Sequence, residues 1–417
     1  MELKDIIYGY GEAAKKASLK LAMASTKEKN EVLKLMAKKL RENREEIKIE
    51  NKKDMEAGKE NNLSKALLDR LLLDDERIEG MVVGVEKIAS LTDPVGEIIT
   101  GWTTEEGIKI RKVKVPIGVI GMIYESRPNV TADAAALALK SGNSIILRGG
   151  KEAINSNKVI AKILRKALEE SNLEKDIINL IQTTERDAVK FLVQMTEYMD
   201  VIIPRGGKGL IRAISSMAKV PVIYHDRGLC HTYIDGNVDL EMAYGICINA
   251  KVQRPGVCNA METLLVNKNI ADKFLPTMID KFKKEGVEIR GCEKTREIVS
   301  DIKKATIEDW GTEYLDLILS IKIVENTEEA INHINIYGSG HSEAIITNDY
   351  NNSNKFSLGV DASTVYTNAS TRFTDGAMFG FGAEIGISTN KLHARGPVGL
   401  NELTTYKYIV TGDGQKR

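Results

Sequence analysis

The chain carries no surplus of charge of either sign: 59 Lys and Arg balance 59 Asp and Glu. No field exists to draw nucleic acid or an anionic membrane non-specifically, so neither is expected as a partner. No apolar run approaches the roughly 18 to 20 residues of a membrane span. The opening Met1-Glu-Leu-Lys-Asp5 lacks the basic-then-apolar pattern of a signal peptide, and no leader is expected. Cysteine is scarce. Cys230, Cys247, Cys258 and Cys292 contain no Cys-x-x-Cys spacing and do not read as a disulfide framework in a chain of 417 residues. A reducing, cytoplasmic setting is expected. Histidine is also sparse, and His225 and His231 are the pair that could share a site. No cluster of Cys, His and carboxylate shows metal-ligand spacing, so no metal is expected.

What is present is a globular composition, 42% hydrophobic, in a chain long enough for two or three domains. Residues 3 to about 90 read as helices. Ser25-Thr-Lys-Glu28 fits a capping box that opens a helix carrying Val32, Leu33, Leu35, Met36 and Leu40. The Lys/Glu-rich run 42–59 reads as a solvated helix face, and a helix over 75–90 is stopped by Asp93-Pro94. Residues 97–115 alternate apolar and polar around Glu105-Glu-Gly107 as a β-hairpin, and Thr404 to Val410 is a matching strand. The two segments are expected to form a small separate sheet whose edges pair with another subunit.

Strands and helices then alternate. Apolar strands are expected over 117–124, 144–147, 177–181, 201–204 and 220–224, with helices between them. A second series places strands over 232–234, 263–266, 321–324, 344–347 and 364–366. Near-continuous apolar strands alternating with helices predict parallel sheets covered on both faces, with ligands at the carboxyl ends of the strands.

Candidate chemistry lies at the breaks. Leu147-Arg-Gly-Gly-Lys151 and Ile203-Pro-Arg-Gly-Gly-Lys-Gly209 put glycine and base together at strand ends, where backbone N–H groups and a helix N-terminus suit a phosphate-bearing cofactor. Neither is a Walker A loop, and Arg212 prevents a Gly-x-Gly-x-x-Gly match. Asn129, in Tyr124-Glu-Ser-Arg-Pro-Asn-Val-Thr131, is either an amide donor to an oxyanion or a turn or helix-cap asparagine. Cys258 follows Pro255-Gly256 on a turn, with the cation Arg254 nearby to favour a thiolate; the alternative is a small buried hydrophobe.

Several segments carry a resemblance. Val115-Pro-Ile-Gly-Val-Ile-Gly121, Ser141-Gly-Asn-Ser-Ile-Ile-Leu-Arg-Gly-Gly150 and the late cysteine resemble the aldehyde dehydrogenase superfamily. Finer matches resemble one branch, the gamma-glutamyl phosphate reductases (glutamate-5-semialdehyde dehydrogenases): Tyr124 to Thr131, Gln253-Arg-Pro-Gly-Val-Cys-Asn-Ala-Met-Glu-Thr-Leu-Leu-Val266, Tyr337-Gly-Ser-Gly-His-Ser-Glu-Ala-Ile-Ile-Thr347, Arg70 to Ile78 and Asp93-Pro-Val-Gly96. The resemblance covers nearly the whole chain. It implies an α/β fold, aldehyde dehydrogenase-like, with two doubly wound α/β domains and a small β oligomerisation element. The implied division is 1–97 and 117–228 for NADP binding, 229–390 for catalysis, and 98–116 with 395–417 as oligomerisation strands.

The resemblance further implies reduction of L-glutamyl 5-phosphate with NADPH to L-glutamate 5-semialdehyde through a thioester on Cys258, the second step of proline biosynthesis from glutamate. Asn129 and the Cys258 backbone N–H would hold the oxyanion. Tyr224 stands where hydrolytic relatives carry a glutamate base, in keeping with phosphate rather than water as the exchanging group. The cofactor set is Arg148, Gly149, Lys151, Arg205, Gly206, Gly207 and Glu313, with the bases of Arg148-Gly-Gly-Lys151 favouring NADP. Glu125, Arg127, Arg254 and His341 are the substrate-binding set, and Arg372 to Thr374 could join it. A homo-oligomer and docking on glutamate 5-kinase are the expected partnerships. Two other readings remain at this stage: another NAD(P)-dependent aldehyde dehydrogenase, and a non-catalytic nucleotide-binding protein of the same fold.

Overall fold

The computed structural model describes residues 2–417. Two compact units emerge. The first runs through Tyr224 and takes back Gly380–Gly386 and Val398–Arg417; the second holds His225–Phe379 and Ile387–Pro397.

The first unit opens with five helices, Leu3–Leu21, Thr26–Glu42, Arg44–Glu60, Lys65–Leu71 and Asp75–Ser90. The capping box forms: the Ser25 hydroxyl accepts from Glu28 N–H, and Glu28 accepts from Ser25 N–H at 2.8 Å. Val32, Leu33, Met36 and Leu40 then fall on one buried stripe. The Lys/Glu-rich helix Arg44–Glu60 is not solvated all round. It buries Asp54, which accepts from Ser156 N–H at 2.7 Å and Asn155 N–H at 3.2 Å. That carboxylate supplies the N-terminal acceptor that the helix Ile154–Glu169 lacks in its own sequence.

Behind these helices lies a four-stranded parallel sheet in the order Ile178–Leu180, Ser144–Gly149, Val119–Tyr124, Val201–Arg205. The chain builds outward on one side of Val119–Tyr124 and then returns to its other side. The direction of winding therefore reverses between Val119–Tyr124 and Val201–Arg205. The expected fifth strand over 220–224 is absent. Lys219 and Val220 turn their N–H groups to Val193 O, and Pro221 has none to offer, so one isolated bridge, Ile202 to Val222, remains.

A separate antiparallel sheet joins Ile98–Thr103, Lys109–Pro116 and Thr404–Thr411, with Lys109–Pro116 central. It leaves Ile98, Trp102, Tyr408 and Val410 exposed, and Trp102 meets Tyr408 edge to face at 6.2 Å.

The second unit is a seven-stranded sheet, all neighbours parallel. Its order is Lys303–Lys304, Glu288–Gly291, Ile318–Val324, Met261–Asn267, Cys230–Ile234, Ser342–Ile346, Thr364–Thr367. Apolar clusters cover it; one packs Phe274, Met278 and Phe282 on Leu264 and Ile321, another packs Phe356 and Ile331 on Tyr233 and Leu265. Glu288–Gly291 and the edge strand Lys303–Lys304 escaped the sequence reading because both are short and polar. Among the described residues no helix is long and apolar enough to cross a membrane.

Candidate active site

In the second unit, the chemistry gathers at the amino ends of the strands. The segments leading into Cys230–Ile234, Met261–Asn267 and Ser342–Ile346 carry His225, Cys258 and His341. These strands are adjacent and parallel, so their leading segments meet along one edge of the sheet. One ligand atom of each of the three residues lies within 4.8 Å of the other two. The expectation of ligands at the carboxyl ends does not hold for this cluster. Nor does the pairing of His225 with His231: His225 meets the His341 ring edge to face at 5.5 Å, while His231 is buried against Glu343 at 2.9 Å.

Cys258 is half-buried, and its main chain is gripped from below. A Cβ on Gly228 would lie 2.0 Å from Cys258 O and 2.3 Å from its Cα, so only glycine fits there. Cys230 Sγ lies 3.2 Å from the same carbonyl. Gly228 also donates its N–H to Glu313 Oε1 at 2.8 Å, tying the glutamate's loop to the cysteine's. The next residue, Asn259, donates to Thr374 O at 2.9 Å, and its own carbonyl accepts from Thr371 Oγ1 at 2.7 Å.

Arg372 completes this lock, donating to Asn259 Oδ1 and, at 3.1 Å, to Gln253 Oε1. Burial and the neighbouring Arg254 lower the Arg372 pKa, and the Cys258 sulfur opposes them. The Arg372 guanidinium therefore lies within reach of the thiol's charge. Beneath the loop, Lys251 Nζ meets Glu262 Oε2 at 2.6 Å with both side chains fully buried. Burial pushes Glu262 up to about 7 and Lys251 down. Glu262 also accepts from Leu315 N–H at 3.1 Å, two residues beyond Glu313.

In the first unit, Glu125, Arg205, Gly206 and Gly207 lie at the carboxyl ends of the two strands where the winding reverses, the usual ligand crevice of such sheets. Gly207 precedes the helix Lys208–Met217, which has no side-chain cap. Its N–H donates to Glu125 Oε2 at 3.0 Å, so Glu125 sits where an anionic ligand would be received. Arg148 turns onto main-chain carbonyls, donating to Gly149 O at 2.8 Å on its own strand and to Thr184 O at 3.2 Å in the loop after Ile178–Leu180. A Cβ on Gly149 would meet the buried Asn157 Nδ2 at 2.1 Å, so that amide would have to move to admit one. Lys151 is exposed, and Arg127 and Arg205 are half-buried.

Glu152, which sequence reasoning passed over, accepts from Ser126 N–H at 2.9 Å and Ser126 Oγ at 2.6 Å. Despite burial, these bonds and Arg148 hold it below the usual carboxylate range. Asn129 opens the helix Asn129–Lys140 without capping it; its amide donates to Asp133 Oδ2 at 2.9 Å. Burial pushes Asp133 up to about 6, against the pull of that bond and of Arg205.

Residues 9–310 match the model of the aldehyde dehydrogenase family. The chain is 58% identical over 407 residues to the gamma-glutamyl phosphate reductase of Clostridium botulinum, covering 98% of each, and 54% identical to that of Halothermothrix orenii over the full length of both. The crystal structure of gamma-glutamyl phosphate reductase from Thermotoga maritima superposes with a TM-score of 0.97, at 51% identity over 99% of each chain. The chain belongs to the gamma-glutamyl phosphate reductase branch of the aldehyde dehydrogenase family. The α/β architecture expected from the resemblance is the one observed.

Within this reductase-family fold, the structure brings Cys258, Arg254, His341 and Glu313 into one unit, with Asn129, Glu125, Arg127, Arg148, Lys151 and Arg205–Gly207 in the other. Sequence reasoning missed Gly228, His225 as a neighbour of Cys258, Asn259 and the Lys251–Glu262 pair. The available signal was charge: Lys251 and Glu262 flank the cysteine loop inside mostly apolar elements.

Proposed function

We propose that the chain reduces L-glutamyl 5-phosphate to L-glutamate 5-semialdehyde with release of phosphate, a step of proline biosynthesis from glutamate. The observation that carries this reading is the locked Cys258, attended by two imidazoles and by the Arg372 guanidinium, in a chain closely similar to reductases of that name. The Cys258 thiolate attacks the acyl carbon; a C–S bond forms, the C–O bond to phosphate breaks, and phosphate leaves with the electron pair. Arg254 and Arg372 match the charge of the departing group. His225 Nδ1 lies 3.1 Å from Ile387 O, which can only accept, so Nε2 is the basic nitrogen of this ring and the proposed base for the thiol proton. Asn129 has a second amide hydrogen beyond the one given to Asp133, and that hydrogen, with Cys258 N–H, is the proposed oxyanion donor set. When bound, NADPH supplies the hydride that takes the thioester to the aldehyde level.

The donor set suits a phosphate-bearing dinucleotide. Lys151, Arg205, the uncapped helix start at Gly207–Lys208 and Glu313 would hold it, once Glu125 yields the Gly207 N–H. Arg148 and Gly149 would shape the loop, and Gly206 gives Glu125 its room, since a Cβ there would lie 2.7 Å from the Glu125 carboxyl carbon. Glu125, Arg127, Arg254 and His341 remain the proposed substrate set. The three-stranded sheet is proposed as the contact of a homo-oligomer. A cytoplasmic location and docking on glutamate 5-kinase, which would shield a labile acyl phosphate, complete the reading; failure of the two proteins to co-purify or channel would remove the docking.

The reaction run backwards tests the function. Enzyme, glutamate 5-semialdehyde and NADP are mixed with and without phosphate, beside Cys258→Ala, and absorbance of the reduced nicotinamide is followed. Phosphate-dependent reduction that vanishes in the variant is expected. Turnover without phosphate would instead indicate a hydrolytic aldehyde dehydrogenase.

A further inference from the structure

We infer that Cys258, His225 and His341 form a binding site for a thiophilic divalent cation of the zinc class, in which the thiolate becomes a metal ligand. The three ligand atoms lie within 4.8 Å of one another. Tetrahedral zinc, with its S and N bond lengths, spaces such atoms by roughly 3.3 to 3.6 Å, so side-chain rotation of about 1 Å closes the set. The segments that carry them enter three adjacent strands of one sheet, so their backbones are fixed before any ion arrives.

The outer contacts are those of metal-binding imidazoles. His225 Nδ1 donates to the Ile387 carbonyl, which leaves Nε2 with its lone pair. His341 is fully buried; its Nδ1 meets Ser342 Oγ at 2.8 Å, and its Nε2 has no hydrogen-bond partner. A buried imidazole nitrogen with no partner is costly, and a metal bond is one of the few ways to satisfy it. Ser342 is held in turn by Thr374 Oγ1 at 2.6 Å. Sulfur with two imidazoles, and no carboxylate in the set, selects zinc over magnesium or calcium. Three protein ligands leave a fourth position open to water.

Binding releases the thiol proton to solvent as the Zn–S bond forms. The bound state has no free nucleophile, so a chelator-reversible off-state follows. Metal binding stands independently of the proposed reaction; the loss of activity rests on it.

The test titrates Co²⁺ into the chelator-treated, full-length chain without substrate and reads the thiolate-to-cobalt charge-transfer band. One equivalent should saturate the band, and Zn²⁺ should displace the cobalt. Cys258→Ser should abolish the band, Cys292→Ser should leave it, and His225→Gln or His341→Gln should weaken binding by about tenfold or more. Absence of the band, or its survival in Cys258→Ser or in both histidine variants, would overturn the site. A second measurement on the unmodified chain guards against misfolded variants. One equivalent of Zn²⁺ should slow alkylation of Cys258 by about tenfold or more, reversed by chelator, while the half-buried Cys292 keeps its rate. Equal alkylation with and without Zn²⁺ would count against it.

Discussion

At the scale of single residues, Gly228 is the most constrained position near the thiol. Gly228→Ala drives a methyl group into the Cys258 main chain. We expect kcat to fall by about 100-fold, the usual consequence of a misplacement near 1 Å, with a stability loss of about 1 to 3 kcal/mol. Turnover and denaturant midpoint check the two together; unchanged kcat would show that the cysteine loop tolerates displacement. Asp133 gives a pH signature. Burial raises its carboxyl to about 6, so it is protonated below that pH and ionised above it. The ionised form holds the Asn129 amide more strongly. In the wild type kcat should rise through about pH 6, and Asp133→Asn should flatten the rise. Cys258 was legible because Pro-Gly breaks announce turns. His225 and His341 were not, because neither lies near the cysteine in sequence and nothing local marks strand adjacency.

At the scale of elements, the Lys251–Glu262 pair joins the helix before the cysteine loop to the strand after it. Removing one partner strands the other in an apolar interior. Lys251→Met should cost about 3 to 5 kcal/mol, and adding Glu262→Leu should recover most of it. Urea midpoints of the single and double variants decide this. If the double variant is no more stable than the single, the pair does more than satisfy itself. The alternation of strand and helix was readable because buried parallel strands are apolar throughout, as Val119–Tyr124 is. The same rule failed at Val220–Tyr224, where apolar residues run on but Pro221 and the pull of Val193 O deny them a ladder. It failed again at the polar edge Lys303–Lys304, which has no apolar run to read.

At the scale of the whole molecule, two properties are testable. If the three-stranded sheet is the contact between copies, Tyr408→Glu should shift the elution of the chain in size-exclusion chromatography toward a smaller species; unchanged elution would place the contact elsewhere. Acid stability follows from buried groups of the second unit. Burial pushes His231, His333 and His341 down to about 3, 2 and 3 from 6.5. Between 6.5 and those values the unfolded chain binds protons the folded chain refuses, so acid removes stability. Burial pushes Glu262 up to about 7 and Glu343 well above its ordinary 4.5. Between 4.5 and their raised values the folded chain keeps protons the unfolded chain has released, so these two gain stability as acid is added. From pH 6.5 to 4.5 three groups oppose two and the slope is shallow. Below 4.5 the histidines act alone among these five, and urea midpoints should fall steeply. A steep fall already at pH 6 would show the carboxyls to be ionised. Sequence could not reveal that the chain returns to its first unit after completing most of the second, since no composition shift marks the crossings. That return has a consequence for synthesis. Lys114 on the central strand bonds Asn401, 287 residues later, just before Thr404–Thr411 begins. During translation the Lys109–Pro116 edge of the hairpin it forms with Ile98–Thr103 therefore stays bare until residues 404–411 have left the ribosome. A truncated product would keep that edge open, a ready template for aggregation or for chaperone capture.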